Sequence, residues 1–311
     1  MRGIALRRFP LGGKTPWPGS NWARMALFDG QNAFEHVRAQ VELGPRPPGS
    51  AALGRLRDYV SKHLTRLGWG VEEQPFEAVT PNGKIAMVNL LARYPPGELP
   101  GPGAILLGAH ADTKVFDFEF VGANDGGSGV ACLLELGRVV PQLDLWRPTV
   151  LAFFDGEEAQ VAWGRGDGLY GSRQLVGHWW SERRLADLLA VVILDIVGDR
   201  ELRVTRDLHS TAWLQDLVWE VAWQQGMGQV FEGPLEWIED DHLPFLAGKV
   251  ASLVLIGFGH DEQGEYFPSY WHTPEDTLDK VSPLSLEQVG RVVEEALIRL
   301  QGSPPRERPG A

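Results

Sequence analysis

Four short runs in this chain are nearly continuous in apolar residues: AILLGA at 104–109, TVLAFF at 149–154, AVVILDIV at 190–197 and ASLVLI at 251–256. A strand with one face in water alternates polar and apolar side chains, whereas a strand covered on both faces has no need to. Segments with helical apolar spacing lie between and after these runs, at 126–140, 169–182, 211–225 and 284–301. Two more helical patterns, at 31–43 and 51–67, and two strand-like runs, at 69–78 and 84–93, precede them. Covered strands alternating with amphipathic helices specify a single α/β domain: a mixed, mostly parallel central sheet with helices on both faces. Residues 29–303 are assigned to it, behind an irregular lead at 1–28 rich in Pro and Gly and ahead of a disordered tail at 304–311.

The composition narrows the functional classes. A net charge of −12 offers no basic surplus to displace phosphate counterions, which excludes nucleic acid as a partner. The lone cysteine, Cys132, has no partner for an internal disulfide and sits in an apolar helical pattern, so it is read as core packing. No apolar run is long enough to span a bilayer, and the start lacks the apolar stretch of an export signal. The expected compartment is the cytoplasm, unless the true start lies upstream and the protein is periplasmic or secreted.

Open α/β sheets bind ligands outside the carboxyl ends of their strands. His110 follows the run AILLGA, Glu157 and Glu158 follow TVLAFF, and Asp195 closes VVILD. Asp125 in VGANDGGSG and His272 in YWHTPEDT complete a set of imidazoles and carboxylates. Such a mixture suits zinc with a position left open for substrate, although other divalent ions take the same donors. Alone, each piece is weak: Asp-Gly is first a turn signal, and a glutamate pair on a loop is commonly just solvated. Their order along the chain lifts the set. His36, His63, His178, His209 and His260 are read as helix or surface residues, and Trp213, Trp219 and Trp223 as packing on one helix.

The order of these motifs resembles the zinc aminopeptidase family, and within it the animal-type glutaminyl cyclases. The resemblance is carried by FFDGEEAQVAWGRGDGLYGSRQL, with Trp163 six residues after Glu157, by IEDDHLPF at 238–245, and by the Trp-His-Thr of 271–273. It runs from about residue 28 to the last helix. It implies that Asp125, Glu158 and His272 hold one Zn2+, that Glu157 is the general acid and base, and that Asp195 and Asp240 form a hydrogen-bonded carboxylate pair beside it. It also implies that Trp163, Ile238, Phe267 and Trp271 wall a pocket for a glutamine side chain, and that His110 and Asp112 are a supporting pair. The peptide after Asp125 is expected to be cis. The implied reaction closes the N-terminal glutamine of a peptide to pyroglutamate and releases ammonia; the partners would be peptides or proteins that begin with Gln.

A hydrolytic alternative stays open. DGGSG after Asn124 is closer to the aminopeptidases, and the cysteine pair that often flanks the first His motif of secreted cyclases is absent. In that reading Asp125 bridges two ions, and His110 and Asp195 bind the second. For IEDDHLPF a plainer expectation stands beside the catalytic one: a helix start capped by Asp240 or Asp241, with Pro244 in the first turn.

Overall fold

The computed structural model describes residues 26–164 and 166–302. The elements run α1 (Gly30–Val41), α2 (Ala51–Arg66), β1 (Gly70–Thr80), β2 (Gly83–Tyr94), β3 (Ala104–His110), α3 (Gly127–Val139) and β4 (Thr149–Phe154). They continue with α4 (Tyr170–Ser181), β5 (Leu188–Asp195), β6 (Arg206–Asp207), α5 (Ala212–Gln224), β7 (Leu235–Glu236) and α6 (His242–Ala247). β8 (Ser252–Ile256), β9 (Gly259–His260), β10 (Tyr266–Phe267) and α7 (Pro283–Gly302) complete the chain.

The main sheet has the order β1-β2-β4-β3-β5-β8. β4, β3, β5 and β8 are mutually parallel, and the β1–β2 hairpin adds an antiparallel flank. The four parallel strands are the four apolar runs, because only they are covered on both sides. The period of two then sorts their side chains. Ile105, Leu107 and Ala109 join Val37, Leu56, Val130, Val218 and Val293 in one core. Leu106, Val150, Ala152 and Phe154 join Leu175 and Trp179 of α4 and Phe245 of α6 in the other. Cys132 is fully buried in the first core, and burial pushes its thiol well above the usual range.

Phe28, assigned to the lead by the sequence, is buried, and the N–H groups of Leu27 and Phe28 donate to the Glu294 carboxylate at 2.9 and 3.0 Å. The expectations for residues 1–25 and 304–311 fall outside the described residues. Among the described residues no helix is long and apolar enough to cross a membrane.

Candidate metal centre

Parallel strands deliver their carboxyl ends to one edge of the sheet, and the polar groups follow. His110 ends β3, the loop after β4 carries Glu157 and Glu158, and Asp195 ends β5. The turn after β4 is set by Gly156 at φ +73°, a conformation L side chains avoid; a Cβ there would also meet Met87 Sδ at 2.6 Å. Asp112, fully buried, accepts the N–H of Glu157 at 3.1 Å and of Glu158 at 3.3 Å. With both amides pinned, the adjacent side chains diverge. Glu158 Oε1 lies 3.2 Å from His272 Nε2, and its Oε2 accepts from Lys114 Nζ at 3.1 Å. Glu157 instead lies in the field of His110, Asp240 and Asp241.

Asp125 is the hub. Its Oδ2 is 3.2 Å from His272 Nε2 and its Oδ1 is 3.2 Å from His110 Nε2, which is in turn 3.1 Å from Asp195 Oδ1. Two groups of ligand atoms therefore converge: Asp125, Glu158 and His272, and His110, Asp125 and Asp195. Zinc bonds of about 2.0–2.1 Å in a tetrahedron set neighbouring ligand atoms about 3.3–3.4 Å apart. The 3.2 Å spacings of His272 Nε2 to Asp125 and to Glu158 match that edge, so the first group fits a Zn2+ ion. It is a buried histidine–carboxylate site for one zinc.

One expectation needs correction. The peptide after Asp125 is trans; among the described residues the cis bonds precede Pro95, Pro100 and Pro268. Asp125 is oriented by other means. Gly126 turns the chain at φ +79°, with Asp112 O only 2.6 Å from where its Cβ would be. Asp276 then accepts the N–H of Asn124 at 2.8 Å and of Asp125 at 3.0 Å. Asp195 and Asp240, the carboxylates expected to pair beside Glu157, each have a further neighbour. Asp195 Oδ1 faces His110, Asp240 Oδ1 accepts the N–H of Asp241, and Asp240 Oδ2 is buried without a partner. The two carboxylates still feel each other: burial and then the Asp195 charge raise Asp240 well above the carboxylate range.

The charge balance explains how so many acids share one edge. Burial, then Glu158, Asp240 and Asp241, raise Glu157 well above its ordinary value, against the pull of His110. Against burial, Asp195 and hydrogen bonds to Asp112, Asp125 and Asp195 raise His110 well above 6.5. Against burial again, Asp125 and Glu158 raise His272 to about 9. Burial works to lift Asp125 as well, but bonds from His110 and His272 hold it below the usual range.

The residues expected to form the aromatic wall have these contacts. Trp271 stacks on His272 with centroids 3.9 Å apart, and Trp271 packs against the core that contains Ile238. Trp163 is 41% exposed and its Nε1 donates to Glu239 Oε2 at 2.6 Å, next to the segment carrying Ile238 and Asp240. The Phe267 ring lies under the Arg203 guanidinium at 4.2 Å, and Phe258 and Tyr266 are rings that stand against Trp271. The plainer reading of IEDDHLPF holds for the helix, since Asp241 is the N-cap of α6, although its side chain makes no capping bond.

Several residues escaped the sequence reading. Phe116 and Phe120 meet the His272 ring edge-on at 5.4 and 6.0 Å. Arg46, fully buried, donates to the carbonyls of Val121 at 2.8 Å and Gly122 at 3.1 Å, so it braces the loop that presents Asp125. Asp276 stands four residues after His272 in YWHTPEDT, and that spacing was its only sequence signal. Groups that orient a ligand typically contribute about 10–100-fold to metal affinity. Asp276→Asn is therefore expected to weaken zinc binding by about that factor, measured by competition with a chromogenic chelator.

Asp155, just before this turn, gives a pH signature. Burial, then the Asp112 charge, raises it to about 7, although it accepts the N–H of Val88 at 2.8 Å and pairs with Arg57 at 3.6 Å. Its folded value lies above the unfolded one, so the folded chain holds more protons between about pH 4 and 7. Its contribution to stability is thus full at the acid end of that window and falls as pH rises to the folded value, with a limiting slope of about 1.4 kcal/mol per pH unit. Above the window it no longer changes. In Asp155→Asn that decline should disappear, so urea unfolding at pH 5 and pH 8 should differ less than in the wild type.

A two-sided α/β sheet that presents buried histidine and carboxylate ligands at the carboxyl ends of its parallel strands defines a zinc-peptidase-like metalloenzyme. The model of peptidase family M28 matches residues 89–297, and the mouse glutaminyl-peptide cyclotransferase-like protein is 33% identical over 286 residues, 80% of this chain and 70% of that protein. The chain belongs to peptidase family M28 and, within it, to the glutaminyl cyclases. Among solved structures, an Acidobacteriales bacterium glutaminyl cyclase is 33% identical with a TM-score of 0.80, covering 93% of this chain and 99% of its own. The Porphyromonas gingivalis glutaminyl cyclase is 30% identical with a TM-score of 0.78, covering 88% and 99%.

Proposed function

We propose that this protein is a zinc-dependent glutaminyl cyclase that converts the N-terminal glutamine of peptides to pyroglutamate. The observation that carries the reading is the meeting of Asp125, Glu158 and His272 at one point, with the buried Glu157 turned aside next to it. In this reading those three side chains hold the zinc. Bound there, zinc supplies a Lewis acid for the γ-carbonyl oxygen.

The remaining chemistry belongs to the chain. The α-amine of the substrate, with an ordinary pKa of about 7.7–8.0, is partly neutral near pH 7 and attacks the side-chain amide carbon. Glu157 takes the proton that the attacking nitrogen loses and returns it to the departing nitrogen. The new bond joins the α-nitrogen to the amide carbon, the old carbon–nitrogen bond breaks, and ammonia leaves. A raised pKa makes the Glu157 carboxylate a stronger base than an exposed glutamate, which favours the first transfer. Asp195, Asp240 and Asp241 surround it with groups that share few protons among many oxygens, because like charges so close seldom all ionise. Trp271 and Trp163 offer apolar surface that keeps bulk water from the reacting carbonyl, with Ile238 packed behind.

The convergence of His110 and Asp195 on Asp125 favours one second reading, a two-metal aminopeptidase that hydrolyses N-terminal residues. Against it, the mouse glutaminyl-peptide cyclotransferase-like protein and the Acidobacteriales bacterium glutaminyl cyclase are each 33% identical to this chain. A paired assay separates the readings. A Gln-initiated peptide should yield ammonia and a blocked N-terminus, and Leu-initiated peptides should yield no free amino acid. Hydrolysis without cyclisation would reverse the assignment.

A further inference from the structure

Outside the centre described above, the end of β6 and the first residue of α6 bring Asp207, His209 and His242 together, with one potential ligand atom from each within a single small volume. Asp207 Oδ2 is 3.0 Å from His242 Nε2, and Asp207 Oδ1 is 3.6 Å from His209 Nδ1. Asp207 and His242 are buried, while the His209 side chain is 26% exposed and gives the cluster an opening to solvent.

Buried polar groups are ordinarily satisfied, yet neither ring nitrogen of His242 has an aligned hydrogen-bond partner. Its Nε2 stands close to a carboxylate oxygen without the alignment of a donated N–H, as two donors around a common cation do. Asp207 is oriented from outside: Oδ2 accepts the N–H and hydroxyl of Ser210, both at 2.7 Å, and Oδ1 accepts the N–H of Ile238 at 3.1 Å. His209 Nδ1 donates to the carbonyl oxygen of Ile238 at 3.0 Å, which fixes the ring and leaves Nε2 as its nitrogen for a metal.

We infer that Asp207, His209 and His242 form a second, structural metal site that takes zinc, a donor set of two imidazoles and one carboxylate being typical of that ion. The ion staples the loop after β6 to the segment 238–242, which carries Ile238 and Asp240. It takes no part in the reaction, so the inference stands or falls independently of the proposed activity.

The test counts metal. Tag-free protein is dialysed to equilibrium against zinc sulfate and analysed for bound zinc. The wild type should hold one equivalent more than His209→Ala, a variant at a partly exposed position. Asp125→Ala, which removes the ligand shared by both groups at the strand ends, should keep one equivalent, and Asp125→Ala with His209→Ala should keep none. His209→Cys, which restores a zinc-binding side chain, should recover the lost equivalent. If Asp125→Ala alone holds no zinc, or if His209→Ala holds as much as the wild type, the site does not exist. Should His209→Ala fail to fold, the count on Asp125→Ala and the retention of zinc by His209→Cys decide.

Discussion

Glu157→Gln is expected to lower turnover of a Gln-initiated peptide by about 10²–10⁴-fold, the range a positioned acid–base group contributes, while leaving the zinc content unchanged. The substitution keeps the shape and the backbone, so the Asp112 bonds to the N–H of residues 157 and 158 persist, and with them the aim of Glu158 at His272. What is lost is only the ability to accept and return a proton. Steady-state kinetics with coupled detection of ammonia, paired with elemental analysis, gives both readouts. Loss of zinc in this variant would mean that the two glutamates carry each other's roles. Unchanged turnover would remove Glu157 from the mechanism.

Asp125→Ala has the largest expected effect on the metal. Asp125 lies against His272 on one oxygen and His110 on the other, so its removal takes a ligand from the catalytic zinc and the shared carboxylate from any paired ion. Affinity at that centre should fall well beyond the roughly 100-fold seen when only an orienting group is lost. Turnover should fall with it and return with added zinc only partially or not at all. Zinc competition and activity on the same preparation check this. A variant that kept both would place the zinc on other residues.

Both variants touch residues that differ in how legible they were before the chain folded. The sheet was legible because burial on both faces leaves a local mark, an unbroken apolar run, and the four runs became β3, β4, β5 and β8 within two residues at each end. The helices were legible from their period for the same reason. Asp125, Glu158 and His272 were legible through resemblance of ordered motifs; spacing alone would have left each of them a turn or loop residue. Phe267, which the same resemblance puts on the pocket wall, lies in the β9–β10 ribbon with its ring under Arg203, and Phe258 is a ring that stands against Trp271.

The local pattern of the chain therefore determined which strands are covered and which polar side chains stand at their ends, since both follow from periods of two and 3.6 residues. Only the tertiary structure decided which of those groups meet: Arg46 bracing Val121 and Gly122, Asp276 gripping the amides of Asn124 and Asp125, and His110 facing Asp195. Such pairings depend on separations of a few ångströms between segments tens to hundreds of residues apart, and desolvation makes each of them strong only after the segments have packed.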